Sequence, residues 1–344
     1  MRDDLPDRAR LHRRRHPAQV GRRVMKLLSS LKVMLGAAPE RPTGYTPEAQ
    51  AMMDAKRLVK GPEKARQIKA AHAEKHSHKW RNIRWATLIM VNMIFVLSFR
   101  FDVQLVEGAL TASRVIGFHF ADLNSAIQVM LAYKVILINL VIGTGTVLFM
   151  WWLLGGRTFC SWTCPYHLLA EIAEKIHLAL AKRKMVVDYP LHRGSRTVLY
   201  VVFAVLAFVS GYTVFESISP TGIVSRALIY GPGLAMVWVL GLLAYEIIFI
   251  RRMWCRYICP IGLTYGFVGA VSPLRVSYSM ENCLHEGDCR KVCLVPHVLE
   301  CTKKTYADDV KVAIGADCTR CGLCIDACPT GSLKYEVKGL NKLL

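Results

Sequence analysis

VILINLVIGTGTVLFMWWLLGGRTFCSWTCP, residues 135–165, opens as an uncharged apolar run to Leu154 and passes through a Gly-Gly step into Cys160-x3-Cys164-Pro165. A bilayer-spanning helix needs about 20 predominantly apolar residues. Residues 135–154 supply them, with Trp151 and Trp152 at the end where an aromatic belt would sit. The order repeats downstream, where the apolar residues 233–250 lead into RRMWCRYICP and its Cys255-x3-Cys259-Pro260. Residues 85–99 and 198–215 are two further apolar windows. Four such runs in 344 residues are too many for the buried helices of a soluble core, so an α-helical integral membrane protein of four spans is expected.

Charge orients these spans. The chain is 53% hydrophobic, yet carries 45 basic against 25 acidic residues and a net charge of +20. Residues 1–81 hold twenty Lys and Arg and residues 155–197 hold seven, whereas residues 100–134 hold three and residues 216–232 only Arg226. The positive-inside rule then places both termini and both Cys-x3-Cys-Pro motifs on the cytoplasmic side. The chain divides into a basic extension (1–81), a four-helix membrane domain (82–275) and a cytoplasmic module (276–344). Within the extension, RARLHRRRH and GRRVMK suit anionic lipid headgroups; no nucleic-acid partner is expected, and no signal peptide fits. Residues 36–47 read as a loop, and residues 62–81 as a polar helix leading into the membrane.

All twelve cysteines fall into motifs. Cys318-x2-Cys321-x2-Cys324-x3-Cys328-Pro329 is the bacterial ferredoxin run, in which three thiolates hold one [4Fe-4S] cluster and the cysteine before proline serves a neighbour. A zinc ribbon would instead show two C-x2-C hairpins across a longer loop, and disulfides do not suit a reducing compartment. Upstream, Cys283, Cys289 and Cys293 occupy the first, third and fourth positions of the same template, with Glu286 at the second and Cys301 beyond it. Cys301 is the favoured replacement because cluster iron prefers thiolate; Glu286 ligation, or a three-iron or absent cluster, remain alternatives. By the crossover rule Cys318, Cys321, Cys324 and Cys293 hold one cluster, and Cys283, Cys289, Cys301 and Cys328 the other, in a small α+β ferredoxin-like module. His285 and His297 read as ordinary surface or ligand-supporting histidines.

If the helices bundle, Cys160, Cys164, Cys255 and Cys259 meet at one membrane face. They are a metal site for a third cubane or copper, or two reactive dithiols, the plain alternative being buried unligated thiols. No GxGxxG motif, nucleotide loop or haem attachment motif is present, which excludes flavin, nicotinamide and c-type haem chemistry as first readings.

From about Trp80 to Tyr335 the chain resembles the NapH/MauN-type membrane ferredoxins. Besides the cysteine motifs, GALTASRVIGFHFADLNSAIQ (108–128) is similar to that family's first external loop, FESISPTGIVSRALIYG (215–231) to its second, and CRYICPIGLTYGFVGAVSPLRV (255–276) to its segment after the fourth span. Glu286 and the long basic extension depart from the family pattern. The resemblance implies a multi-pass protein of the bacterial inner membrane that passes electrons from quinol through two [4Fe-4S] clusters, and a possible third, to a partner redox subunit. It implies an electron-transfer subunit with no catalytic residue of its own. Glu216, Glu246, His119 and His167 are the polar groups nearest the spans, and so the candidates for the quinone side. Two rivals stay open: a copper-handling assembly reductase using the Cys-x3-Cys-Pro thiols, and an iron–sulfur redox sensor or scaffold.

Overall fold

The structure, a computed structural model, describes residues 17–58, 61–74, 78–102, 106–115 and 118–338. The basic run at residues 8–16 lies outside them. Three helices open the chain: α1 (Pro17–Met34), α2 (Pro47–Leu58) and α3 (Pro62–Glu74). Residues 35–46 form the expected loop, and α3 ends well before residue 81.

The central bundle is built from two similar halves. The first runs α4 (Lys79–Arg100), a three-stranded antiparallel sheet β1-β2-β3 (Val106–Ala109, Ala112–Val115, Phe118–Ala121), α5 (Leu123–Tyr133), α6 (Ile138–Leu154), a short α7 (Thr158–Trp162) and α8 (Pro165–Lys182). The second runs α9 (Ser195–Ser210), a short α10 (Val214–Ile218), α11 (Pro220–Tyr230), α12 (Ala235–Ile248), a π-helical turn (Trp254–Ile258) and α13 (Ile261–Val271). The halves interlock: α5 packs on α9 and α13, α11 on α4 and α8, α8 on α12, and α13 on α6.

Local chemistry sets the boundaries. Gly155 ends α6 with a left-handed φ of 114°, returning its N–H to the Trp151 carbonyl at 2.9 Å. Gly211 ends α9 in the same way at φ 67°, so the apolar window expected to reach residue 215 stops at Ser210 and the chain turns into α10. Asp122 caps α5 by accepting the Asn124 and Ser125 N–H groups. Proline at the first turn starts α8 and α11.

Among the described residues only Lys79–Arg100 is both long and apolar enough to cross a membrane; Ile138–Leu154, Ser195–Ser210, Ala235–Ile248 and Ile261–Val271 are shorter apolar helices. Their outward faces are apolar, as at Ile138, Phe149, Val209 and Val237. At the Trp151 end of α6 sits an α+β module, its sheet ordered β5-β4-β6 (Lys311–Ala313, Leu274–Ser279, Leu333–Val337) and all antiparallel. Ala49, Met52 and Met53 of α2 pack into its core, and Lys56 donates to the Met280 and Cys283 carbonyls at 2.5 and 2.6 Å. The extension is therefore a strap on the module.

Candidate metal centres

The module gathers its cysteines into two adjoining groups. Gly322, at φ 77°, turns the chain so that Cys318, Cys321 and Cys324 converge; a β-carbon there would meet Trp80 at 2.5 Å. Cys293 interacts electrostatically with Cys318 and Cys321, and Cys324 with those three and with Cys289. Cys289, Cys283 and Cys328 line one cavity, and Cys301 interacts electrostatically with Cys289 and Cys283. Burial pushes the Cys301 thiol up to about 12. Backbone N–H groups are aimed at the sulfurs: Arg320 to Cys318 at 3.4 Å, Ser332 to Cys328 at 3.3 Å and His285 to Cys283 at 3.3 Å. Such donors stabilise thiolates.

Glu286 lines a cavity with Cys283, Cys289 and Cys328, and its carboxylate lies 3.0 Å from His72 Nε2 of α3, with Asp288 3.3 Å from the same nitrogen. The ring of His285 engages the Thr302 carbonyl at 3.0 Å. His297 is no surface residue, its Nε2 lying 2.8 Å from Asp317 in a largely buried setting. Asp317 also takes Arg157 at 2.5 Å and Arg196 at 2.9 Å. Burial alone would raise its carboxyl, but these cations hold it well below the usual carboxylate range.

The bundle brings Cys160, Cys164, Cys255 and Cys259 to one cavity of about 40 Å3. Three helix N-termini, those of α8, α11 and α13, converge on it. α8 starts after Cys164 and turns the Tyr166 and His167 N–H groups toward that sulfur, and α13 does the same for Cys259 with Ile261 and Gly262. At the start of α11, Thr221 Oγ1 lies 3.3 Å from Cys164 Sγ, and the cap of α5 lies under Tyr265, which stacks on Phe159. Helix N-termini carry partial positive charge, so they favour an anion.

Arg157 and Arg252 line the same cavity, each three residues before the first cysteine of its motif. Both are buried, and Arg157 Nε and Arg252 Nη2 have no partner. Sequence reasoning passed over this pair, although R-x-[FW]-C-x3-C-P stands in both motifs. Burial pushes Cys164 up to about 11 and Cys259 up to about 12. A cubane held by four thiolates is an anion, and the cationic wall fits it.

The quinone-side candidates scatter. His167 lies at the cavity, 3.4 Å from Arg252, whereas His119 is exposed on β3 at the far end. Glu246 accepts the Trp254 N–H at 2.9 Å and forms no ion pair with Arg251 or Arg252, which pair with Asp188 and Glu174. Glu216 joins a hydrogen-bonded group with Ser125 and Asp122.

A family model for a 4Fe-4S binding domain matches residues 136–185 and 232–277, one Cys-x3-Cys-Pro motif in each, and another 4Fe-4S binding domain model matches residues 315–334. The methylamine utilization ferredoxin-type protein MauN of Methylorubrum extorquens is 30% identical over 78% of this chain and 93% of its own. The ferredoxin-type protein NapH of Escherichia coli is 27% identical over 72% and 88%, and that of Haemophilus influenzae 28% over 57% and 68%. No solved structure matches. The iron–sulfur domains, the spacing of the thiols and the extent of the match with MauN together make this chain a member of the MauN/NapH family of ferredoxin-type proteins.

Proposed function

We propose that this iron–sulfur electron-transport protein oxidises quinol at the bacterial inner membrane and passes the electrons through three cubanes to a partner redox subunit. Residues 82–275 form the membrane domain, with α4, α6, α9 and α12 as spans and both termini cytoplasmic. Residues 276–344 carry two clusters, one on Cys293, Cys318, Cys321 and Cys324, the other on Cys283, Cys289, Cys301 and Cys328. Cys160, Cys164, Cys255 and Cys259 hold the third. Supporting the spans are the outward apolar faces and the basic residues at one end.

One observation carries the reading. Between the two cysteines of the first motif, Ser161 Oγ donates to the Thr319 carbonyl at 2.7 Å and Trp162 Nε1 to the Arg320 carbonyl at 3.0 Å, both carbonyls lying between Cys318 and Cys321. Thr319, Leu294 and Val295, chain neighbours of Cys318 and Cys293, also line the four-thiol cavity. The membrane-edge thiols and the module thus share a wall, the arrangement that short-range electron transfer requires.

The clusters would supply one-electron steps; the chain fixes their spacing, excludes water and surrounds them with donors. Arg320 fixes the joint, donating to the carbonyls of Gly155, Gly269 at 2.8 Å and Leu274 at 2.9 Å. Anaerobic iron and acid-labile sulfide analysis tests the reading. About twelve irons per chain, falling to about eight when Cys160, Cys164, Cys255 and Cys259 are all serine, is the expected result. About eight in both proteins would overturn the third cluster.

A further inference from the structure

The cap of α5 belongs to a hydrogen-bonded line that runs from beside the four-thiol cavity toward the end of the bundle that carries the β1-β2-β3 sheet. Tyr265, buried on α13 and stacked on Phe159 next to Cys160, donates to Asp122 Oδ1 at 2.7 Å. The other oxygen of Asp122 holds the Asn124 and Ser125 N–H groups at 3.0 and 3.3 Å and lies 3.5 Å from Ser125 Oγ. That hydroxyl donates to Glu216 Oε1 at 2.6 Å. Glu216 is only part-buried and sits near the exposed Arg226. Asn124 Nδ2 and Gln128 Oε1, both buried on the same helix, have no partner.

No ion pair satisfies Asp122; tyrosine, serine and backbone donors do. Two carboxylates joined through one hydroxyl are an arrangement that moves protons, because the hydroxyl can accept from one and donate to the other. Capping α5 accounts for the two N–H bonds of Asp122, but not for a second carboxylate brought onto the same hydroxyl.

We propose that Asp122, Ser125 and Glu216, with Tyr265 fixing the inner end, are an outward proton line for the protons released when quinol is oxidised. The inference rests on the quinol reading above. In balance, each quinol yields one quinone, two electrons and two protons. The electrons leave one at a time to an oxidised iron–sulfur cluster. Each proton is taken up by the Asp122 carboxylate, passes to the Ser125 hydroxyl as its own proton moves to Glu216, and leaves from Glu216 to solvent. Tyr265 is a positioning residue.

The test uses the full chain with its clusters in nanodiscs and duroquinol as donor. Asp122→Asn and Glu216→Gln are expected to slow duroquinol-driven cluster reduction by at least about tenfold while leaving iron content and dithionite reduction at parental levels. The infrared difference spectrum between oxidised and reduced protein should show a carboxyl stretching band that Asp122→Asn removes. Should Asp122→Asn fail to assemble, Glu216→Gln and Ser125→Ala, at the outer end, decide the matter by the same rates. Parental rates in the assembled variants, with the parent reduced normally by duroquinol, would overturn the line alone. A parent that dithionite reduces and duroquinol does not would overturn the quinol reading itself.

Discussion

Cys301 and Glu286 compete for one role, and both lie near the upstream thiols. Cys301 interacts electrostatically with Cys289 and Cys283, while Glu286 pairs with His72 and lines the cavity of Cys283, Cys289 and Cys328; the preference of cluster iron for thiolate favours Cys301. Cys301→Ser is therefore expected to cost about four irons per chain and Glu286→Gln none, measured by iron and sulfide analysis. Glu174 poses a question of charge instead. Arg252, buried, and Arg256 at 3.3 Å both rest on its carboxylate. Burial opposes ionisation there, but the two guanidiniums hold the carboxyl below its ordinary value. The linkage runs in one direction: the folded state prefers the ionised form, so the contribution is full above the unfolded glutamate value of about 4.3 and is lost as the pH falls below it. Glu174→Gln should destabilise by about 3–5 kcal/mol at neutral pH, since it strands a buried guanidinium, and should flatten the acid limb of a thermal-unfolding series.

At the scale of elements, α5 and α11 decide the site, and they were the hardest to read. Each spans eleven residues, short of a membrane crossing, and neither shows why it should enter a bundle. The apolar windows were legible because hydropathy is a local property; α6 and α12 begin and end within a few residues of expectation. The break after Ser210 needed the left-handed Gly211, which composition does not reveal. The ferredoxin run was legible from spacing alone. The grouping of Cys293 with Cys318, Cys321 and Cys324 is a tertiary matter that spacing alone does not carry; it remains the expectation of the ferredoxin crossover rule. The buried arginines went unread because attention to cysteine spacing stopped three residues short. Arg252→Gln removes positive charge beside the third site, so its midpoint potential should fall relative to the parent in an EPR-monitored titration. An unshifted potential would show that the guanidinium does not sense the occupant.

Across the whole molecule, the basic extension carries structural weight that its composition hid. Ser30 accepts the Ala316 N–H at 2.8 Å, the Tyr45 hydroxyl donates to the Thr305 carbonyl at 2.8 Å, and Lys26 pairs with Asp308 at 2.7 Å. Deleting residues 1–58 uncovers the module face that Ala49 and Met52 fill. Clusters in the truncated protein should bleach in air several times faster than in the parent, followed by visible absorbance. Equal rates would reduce the strap to a lipid contact.

The interlocked halves also fix an order of events during synthesis. Since α8 rests on α12 and α13 on α6, neither half can complete its own packing. Cys160 and Cys164 leave the ribosome about 90 residues ahead of Cys255 and Cys259, a wait of about 5–20 s at ordinary translation rates. During that interval the first pair stands without its proposed partner thiols, beside an arginine whose Asp317 is still unmade. On the proposed third cluster, iron delivery would follow synthesis of Cys259, and a chain stalled before residue 255 would expose two thiols of an unfinished site.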